Sequence, residues 1–254
     1  MGTSIIASFI LLVMSCAGID SAPCPMNMSP EWEVTDTASA TALAKAINCS
    51  GGVFNVEWRG SIVVNRPLYI MDGTFVHVAG AGPGASMDGG GVTQLFDVMN
   101  SSLNVSNMQL ANGFAADGGA IAAEKSVIFF NATSFISNTA IFSGGAVSVG
   151  KYSTVSWEGL TLFQNNTAGS GGGAVSVLSV GSASWAAETS FYNNTAGDDG
   201  GAVFLYDVSS ASWAAETTFA DNTAMDGGAV YFNASTVSWG AKTSFYNNTA
   251  GDDG

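Results

Sequence analysis

Apolar and polar residues alternate with a period of two along the C-terminal half of the chain. In the segment VSWGAK at 237–242, the odd positions are apolar and the even positions are small or charged. Valines alternate in the same way after each Gly-Gly-Ala, for example Val175 and Val177. This period is typical of β-strands that bury one face. The C-terminal half is therefore predicted to consist of short strands.

The segment between residues 36 and 78 has a different pattern, which predicts one helix followed by strands. Residues 38–48 are rich in alanine and read as a short helix, with Asp36 or Thr37 as its N-cap. Gly51 and Gly52 end the helix, and strands follow at 53–56, 62–64 and 75–78. A helix at this place would cover the unpaired edges at the open end of a stacked sheet.

Two motifs recur with nearly constant spacing. Gly-Gly-Ala-Ile/Val recurs every 26 to 28 residues, and Phe-x-x-Asn-Thr-Ala lies between its copies, with an aromatic residue six positions before each Phe. The glycine motif starts at Gly118, Gly144, Gly172, Gly200 and Gly227. The motif asparagines are Asn138, Asn166, Asn194, Asn222 and Asn248, and the preceding aromatic residues are Phe129, Trp157, Trp185, Trp213 and Trp239.

Each repeat of about 27 residues predicts one coil of a parallel β-helix. Three short strands at ~3.3 Å per residue leave room for turns but not for crossover helices, and propeller blades need about 40 residues or more. Coils stacked ~4.8 Å apart place equivalent residues in columns. The columns predict glycine turns, a ladder of asparagine amides and an aromatic interior. Gly90-Gly91 and Leu110-Ala111-Asn112 predict at least one further coil upstream.

The N-terminus has the features of a secretory signal peptide at 1–17. Residues 5–14 are mostly apolar, and Ser15-Cys16-Ala17 offers small residues at the cleavage site. Cleavage there would leave Cys24 and Cys49, which are predicted to form one disulfide, with two buried thiols as the alternative. The expected division is a signal peptide at 1–17, an N-terminal segment with the capping helix at 18–52, degenerate coils at 53–117 and repetitive coils at 118–254.

Nine Asn-x-Ser/Thr sequons agree with export, because they would be glycan acceptors in a eukaryotic secretory pathway. Asparagine, serine and threonine are common in the chain, so part of this number arises by chance. The predicted acceptors are Asn27, Asn48, Asn100, Asn104, Asn131, Asn165, Asn193, Asn233 and Asn247.

The charge composition excludes several functions. A formal net charge of −14 with only six Lys and Arg argues against binding to nucleic acid, whose phosphates must be neutralised. The single histidine, His77, cannot build a multi-histidine metal site, and no cofactor is expected. An acidic column precedes the glycine pairs and is interpreted as a solvated stripe, with bridging Ca²⁺ as the alternative. Its members are Asp117, Asp199, Asp226 and Asp253.

The paired motifs Gly-Gly-Ala-Ile/Val and Phe-x-x-Asn resemble the repeats of the polymorphic outer membrane protein family, over about 118–254. Residues 43–82 also resemble the N-terminal cap of pectin-lyase-like β-helices. The resemblance implies an all-β fold, a right-handed single-stranded parallel β-helix, with cell-surface or outer-membrane display and adhesion. Residues 243–254 repeat 189–200 without a cap-like sequence, so we expect further coils or an anchor beyond Gly254.

Two functions are compatible with these features. The first is a secreted or cell-surface scaffold without enzymatic activity, which binds a cell-surface protein or glycan. The alternative is a polysaccharide-active or carbohydrate-binding β-helix with its site in the non-repetitive region 51–112. Catalysis is disfavoured because the basic residues are dispersed and nearly every acid occupies a repeat-equivalent position, which favours a structural role. The tryptophan column is interpreted as core, with a sugar-stacking platform as the alternative.

Overall fold

The computed structural model describes residues 31–179, 182–208 and 210–252. These residues form one helix and four parallel sheets, named A to D, whose strands stack through about eight coils. Every strand pairs in parallel with its equivalent in the neighbouring coil, as in Phe163 with Phe191. The predicted β-solenoid is confirmed. The signal peptide, Cys24, Asn27 and Asp253 lie outside the described residues.

Sheets A and B each run nearly the whole length of the solenoid. Sheet A contains β1 (Glu31–Val34), β2 (Val53–Trp58), β5 (Phe75–Gly80), β8 (Ser102–Ser106), β12 (Val127–Asn131), β16 (Thr154–Trp157), β20 (Ser182–Trp185), β24 (Ala211–Trp213) and β28 (Val237–Trp239). Sheet B contains β3 (Ser61–Val63), β6 (Ser86–Asp88), β9 (Gln109–Ala111), β13 (Ser134–Ile136), β17 (Thr161–Gln164), β21 (Thr189–Tyr192), β25 (Thr217–Ala220) and β29 (Thr243–Tyr246).

Sheets C and D complete each coil. Sheet C contains β4 (Leu68–Met71), β7 (Phe96–Met99), β11 (Ile121–Glu124), β15 (Val147–Val149), β19 (Val175–Leu178), β23 (Val203–Tyr206) and β27 (Val230–Asn233). Sheet D contains β10 (Phe114–Ala115), β14 (Thr139–Ala140), β18 (Thr167–Ala168), β22 (Thr195–Ala196), β26 (Thr223–Ala224) and β30 (Thr249–Ala250).

The prediction of three strands per coil is wrong for the repetitive coils, which have four. The additional strand is the Thr-Ala pair that follows each motif asparagine. The Thr167 N–H donates to the carbonyl oxygen of Asn138 at 2.9 Å, which draws the pair into register with the preceding coil. Two residues are too few to show an alternating pattern, so only the pairing between coils reveals this sheet.

The helix α1 (Thr37–Ser50) covers the N-terminal end of the solenoid. It packs on β1 and β4, and its buried side chains Leu43 and Ile47 join the core. The predicted capping helix is confirmed, with Asp36 as the N-cap. The Asp36 carboxylate accepts the Ser39 N–H at 2.7 Å. That bond and a second one from the Ser39 hydroxyl lower the pKa of the Asp36 carboxyl.

Gly51 ends the helix with φ of 58° and was correctly predicted as its stop. Strand β1 was not predicted. It pairs with β2 and adds a ninth strand to sheet A, so the helix and β1 together cover the first coil.

The predicted aromatic column is wrong at one position. Phe130, not Phe129, pairs with Trp157, and Phe129 pairs with Ser156. Phe130 is fully buried, whereas 37% of Phe129 is exposed. The step from aromatic residue to motif phenylalanine is therefore five residues in this coil and six in the following ones, because β12 enters with its other face toward the core.

The upstream coil is confirmed, but two of its marks are placed differently from the prediction. Phe96 pairs with Ile121, so Thr93, not Gly90, lies opposite Gly118. Leu110 pairs with the motif phenylalanine Phe135 as predicted. The next residues, Asn112 and Gly113, then precede and occupy the place of the motif asparagine.

Candidate functional site

The motif asparagines form a continuous buried ladder. The Nδ2 of each donates to the Oδ1 of its neighbour in the next coil, at 3.1 Å from Asn138 to Asn166, 3.0 Å from Asn166 to Asn194 and 2.9 Å from Asn194 to Asn222. The last step, to Asn248, measures 2.8 Å. The predicted ladder therefore exists, and it satisfies polar groups that the turn buries.

The ladder amides also hold the main chain. The Oδ1 of Asn194 accepts the Asn166 main-chain N–H at 3.0 Å, and its Nδ2 donates to the Phe163 carbonyl at 3.1 Å. At the start of the ladder, the Gly113 N–H donates to the Oδ1 of Asn138 at 2.8 Å. Each motif asparagine therefore links adjacent coils through both main-chain and side-chain groups.

The residue before each ladder asparagine was missed as a structural position. It adopts a left-handed backbone in every repetitive coil, with φ between 50° and 57°, at Ser137, Asn165, Asn193, Asp221 and Asn247. Asparagine and aspartate tolerate this conformation better than other residues with a side chain. The Asn-Asn dipeptides of three repeats were the signal for this turn.

The two glycines of each pair are required for different reasons. Gly172 has φ of +68°, and a Cβ there would lie 2.2 Å from the Val175 carbonyl oxygen. Gly173 has no positive φ, but a Cβ there would lie 2.1 Å from the Gly201 carbonyl oxygen of the next coil. The same two contacts recur along the column at Gly118, Gly144, Gly200 and Gly227 and at the glycines that follow them. The first glycine provides the turn and the second permits close stacking of coils.

The tryptophan column is core, as interpreted from the sequence. Trp157, Trp185 and Trp213 are fully buried, and their rings stack at 4.5 and 4.2 Å with interplanar angles of 4° and 3°. Their Nε1 groups have no hydrogen-bond partner among the described residues. A sugar cannot reach these rings. Only Trp239, in the last coil, is exposed, to 39%.

The outer surface carries the predicted glycan acceptors. Six of the described sequon asparagines are exposed and two are half-buried. Asn193 and Asn165 lie one above the other, with the Nδ2 of Asn193 donating to the Oδ1 of Asn165 at 2.8 Å. The exposed acceptors are Asn100, Asn131, Asn165, Asn193, Asn233 and Asn247, and the half-buried ones are Asn48 and Asn104. Glycan occupancy stays a prediction.

Cys49 lies in the last turn of α1 and is disulfide-bonded. Because Cys24 lies outside the described residues, the pairing of Cys24 with Cys49 stays a prediction. Such a bond would fasten the N-terminal segment to the helix that covers the first coil.

The acidic column is partly desolvated in the middle of the repetitive coils. Asp117 is exposed and accepts the Ser143 N–H at 3.0 Å, whereas Asp199 and Asp226 are half-buried and form a parallel β-bridge. Burial raises the pKa of the Asp199 carboxyl, and the negative charges of Asp226 and Asp198 raise it further. Within the described ranges, no group of three or more His, Cys, Asp or Glu side chains could hold a metal ion.

We expect Asp199→Asn to stabilise the protein at pH 7 but not at pH 3. The raised pKa means that the folded state binds this proton more tightly than the unfolded state, so stability falls as pH rises through the pKa of the folded state. Asparagine removes that loss, for an expected rise in Tm of about 1 °C at pH 7. Thermal unfolding at both pH values measures it, with the exposed Glu188→Gln as the matched loss of one charge. A larger gain at pH 3 than at pH 7 would contradict the assignment.

Several basic residues make structural contacts that keep them out of a common site. Arg59 contacts Glu33 at 2.7 Å and also pairs with Glu57, and Arg66 donates to the Thr41 carbonyl at 3.0 Å. Lys125 pairs with Glu124 at 3.8 Å, and the exposed Lys242 pairs with Glu216 at 3.0 Å. These contacts favour a structural use of the cations over proton abstraction from an acidic sugar.

The comparisons with known proteins agree with the repeat structure. The model of the Chlamydia polymorphic membrane protein repeat matches residues 160–177 and 188–206, which span sheets B, D and C of two consecutive coils. No curated protein and no solved structure gives a significant match. In the part of the chain that the structure describes, no helix has the length and hydropathy needed to cross a membrane. This chain is a parallel β-solenoid whose coils carry the repeat of the Chlamydia polymorphic membrane proteins.

Proposed function

We propose that the chain is a secreted or cell-surface repeat protein that acts as a non-enzymatic scaffold for adhesion. The observation that carries this proposal is the placement of the repeated residues. The glycine pairs, the ladder asparagines and the aromatic columns form the interior and turns of the coils, and none of them builds a cleft. The outward positions of the strands vary from coil to coil, so one rigid framework displays a long and variable surface.

The partner class is a cell-surface protein or glycan. The match to the polymorphic membrane protein repeat supports surface display, as do the exposed sequons and the N-terminal segment with its signal-peptide pattern. A β-solenoid suits this role because its coils hold extended outer faces at fixed ~4.8 Å intervals.

Binding of the fluorescently labelled chain to intact cells tests this function. We expect saturable binding that unlabelled protein competes away, and surface labelling of the native protein on cells that make it. Incubation with pectate, alginate and neutral polysaccharides tests catalysis in parallel. Unsaturated or reducing ends released at enzymatic rates would contradict a non-enzymatic scaffold, and binding that is not saturable would contradict adhesion.

A further inference from the structure

Phe129 is an exposed aromatic residue with no role in the core. It lies on the outer face of sheet A, at the position that Ser156, Ser184 and Ser212 occupy in the following coils. Because those serines fit the same backbone position, the fold does not require an aromatic ring there. Phe129 is nevertheless 37% exposed in the middle of a polar sheet face.

Polar side chains surround this ring and line a groove of about 470 Å³. His77 pairs with Asn104 and Asn104 with Phe129, so the three side chains follow one another across adjacent strands on one face. Beside them, Ser106 pairs with Asn131. The groove therefore has an aromatic wall and a row of hydrogen-bonding groups along the axis of the solenoid.

Most of these polar groups are available to a ligand. The side-chain amides of Asn104, Asn107 and Asn131 make no hydrogen bond with the described part of the chain. The Nε2 of His77 lies 3.3 Å from the Ser106 hydroxyl, and the Glu158 carboxylate accepts only a 3.4 Å contact from Ser156. Three amides with both donors and acceptors stand next to an exposed ring face.

This combination fits a saccharide. A sugar ring presents C–H groups that pack on an aromatic face and hydroxyls that both donate and accept hydrogen bonds, which amides match on both counts. Strands ~4.8 Å apart place the groups at intervals of roughly one sugar unit along an extended chain.

The charges around the groove select against acidic sugars. Glu158 lines the groove, and His77 is the only basic side chain among its lining residues. The nearest cation along sheet A, Arg59, is paired with Glu33 and Glu57. A uronate would meet a carboxylate without a compensating arginine or lysine, so a neutral sugar is the better ligand.

We propose that this groove binds a neutral oligosaccharide, with one sugar packed on the Phe129 ring and its hydroxyls bound by Asn104, Asn131 and Glu158. The proposal rests on the proposed scaffold function and gives it a chemical class of ligand. It places the ligand on the coils before the regular repeats, where sheet A carries an aromatic residue in place of serine.

Isothermal titration tests the proposal on the chain produced in bacteria, because Asn104 and Asn131 are sequon residues and must be free of glycan. The probes are hexasaccharides of β-1,4-linked glucose, N-acetylglucosamine and mannose, with hexagalacturonate as the charged probe. We expect at least one neutral probe to bind more tightly than hexagalacturonate. Phe129→Ser, which copies the following coils, should weaken that binding about three- to tenfold.

Phe142→Ser is the matched control, because Phe142 is 57% exposed and does not line the groove. It should leave the affinity unchanged. The proposal is overturned if none of the neutral probes binds, if hexagalacturonate binds equally well, or if both phenylalanine variants have the same effect. Saturable cell binding without any oligosaccharide binding would remove the groove and leave the scaffold function intact, whereas absent cell binding would remove the scaffold function itself.

Discussion

Gly173→Ala should destabilise the solenoid by about 3 kcal/mol or more. The new Cβ would lie 2.1 Å from the Gly201 carbonyl oxygen and 2.6 Å from the Thr195 nitrogen. Both atoms belong to the main chain of the next coil, so no side-chain rotation can relieve the overlap. The coils would have to move apart, which lengthens the hydrogen bonds between them.

Urea unfolding followed by tryptophan fluorescence measures this effect, because the tryptophan column passes through the affected coils. Gly60→Ala is the control, since Gly60 has φ of +75° and no atom within 4 Å of a Cβ. It should cost only the strain of a left-handed alanine, about 1 kcal/mol. Equal losses in the two variants would show that close stacking of coils does not require the second glycine.

Asn194→Ala should cost about 3 kcal/mol or more, because the Asn194 amide makes four hydrogen bonds. It accepts from the main-chain N–H and the Nδ2 of Asn166, and it donates to the Oδ1 of Asn222 and to the Phe163 carbonyl. Its loss leaves several buried polar groups without partners, and each such group costs roughly 1–3 kcal/mol.

The neighbouring Asn193 provides the comparison. It is exposed and has φ of 53°, so glycine replaces it without the strain that alanine would add. We expect Asn193→Gly to change stability by less than about 0.5 kcal/mol in protein without glycans. Urea midpoints that fall equally in the two variants would remove the ladder as a source of stability.

The repeated part of the fold was predictable because its signals are local and recur. The glycine pairs, the ladder asparagines and the aromatic column of the last four coils were all placed correctly, since a fixed spacing within each coil gives a fixed register between coils. The helix was predictable for a similar reason. Its N-cap Asp36 and its stop at Gly51 act within a few residues of the chain.

The first coils were harder to predict because their repeat is irregular. Thr93 lies opposite Gly118 although Gly90 has the matching sequence, and Gly113 takes a ladder position that no asparagine marks. In these coils the register follows from which side chains fill the core, and that depends on neighbouring coils.

The candidate binding groove shows the same limit. Two adjacent phenylalanines, Phe129 and Phe130, fit an alternating pattern equally well, and the spacing of the later repeats favoured the wrong one. A strand buries one face only, so the pairing of Phe130 with Trp157 turns Phe129 outward. The groove around Phe129 also joins side chains from β5, β8 and β12, which are far apart in the chain.

The amino-acid sequence by itself determined the solenoid, its coil length, its N-terminal helix and the columns of glycine, asparagine and tryptophan, because each depends on residue type at a constant local spacing. The tertiary structure alone decided the fourth sheet, the pairing of β1, the register of the first coils and the outward direction of Phe129. Those features depend on hydrogen bonds and packing between coils, where residues about 25 to 31 positions apart meet.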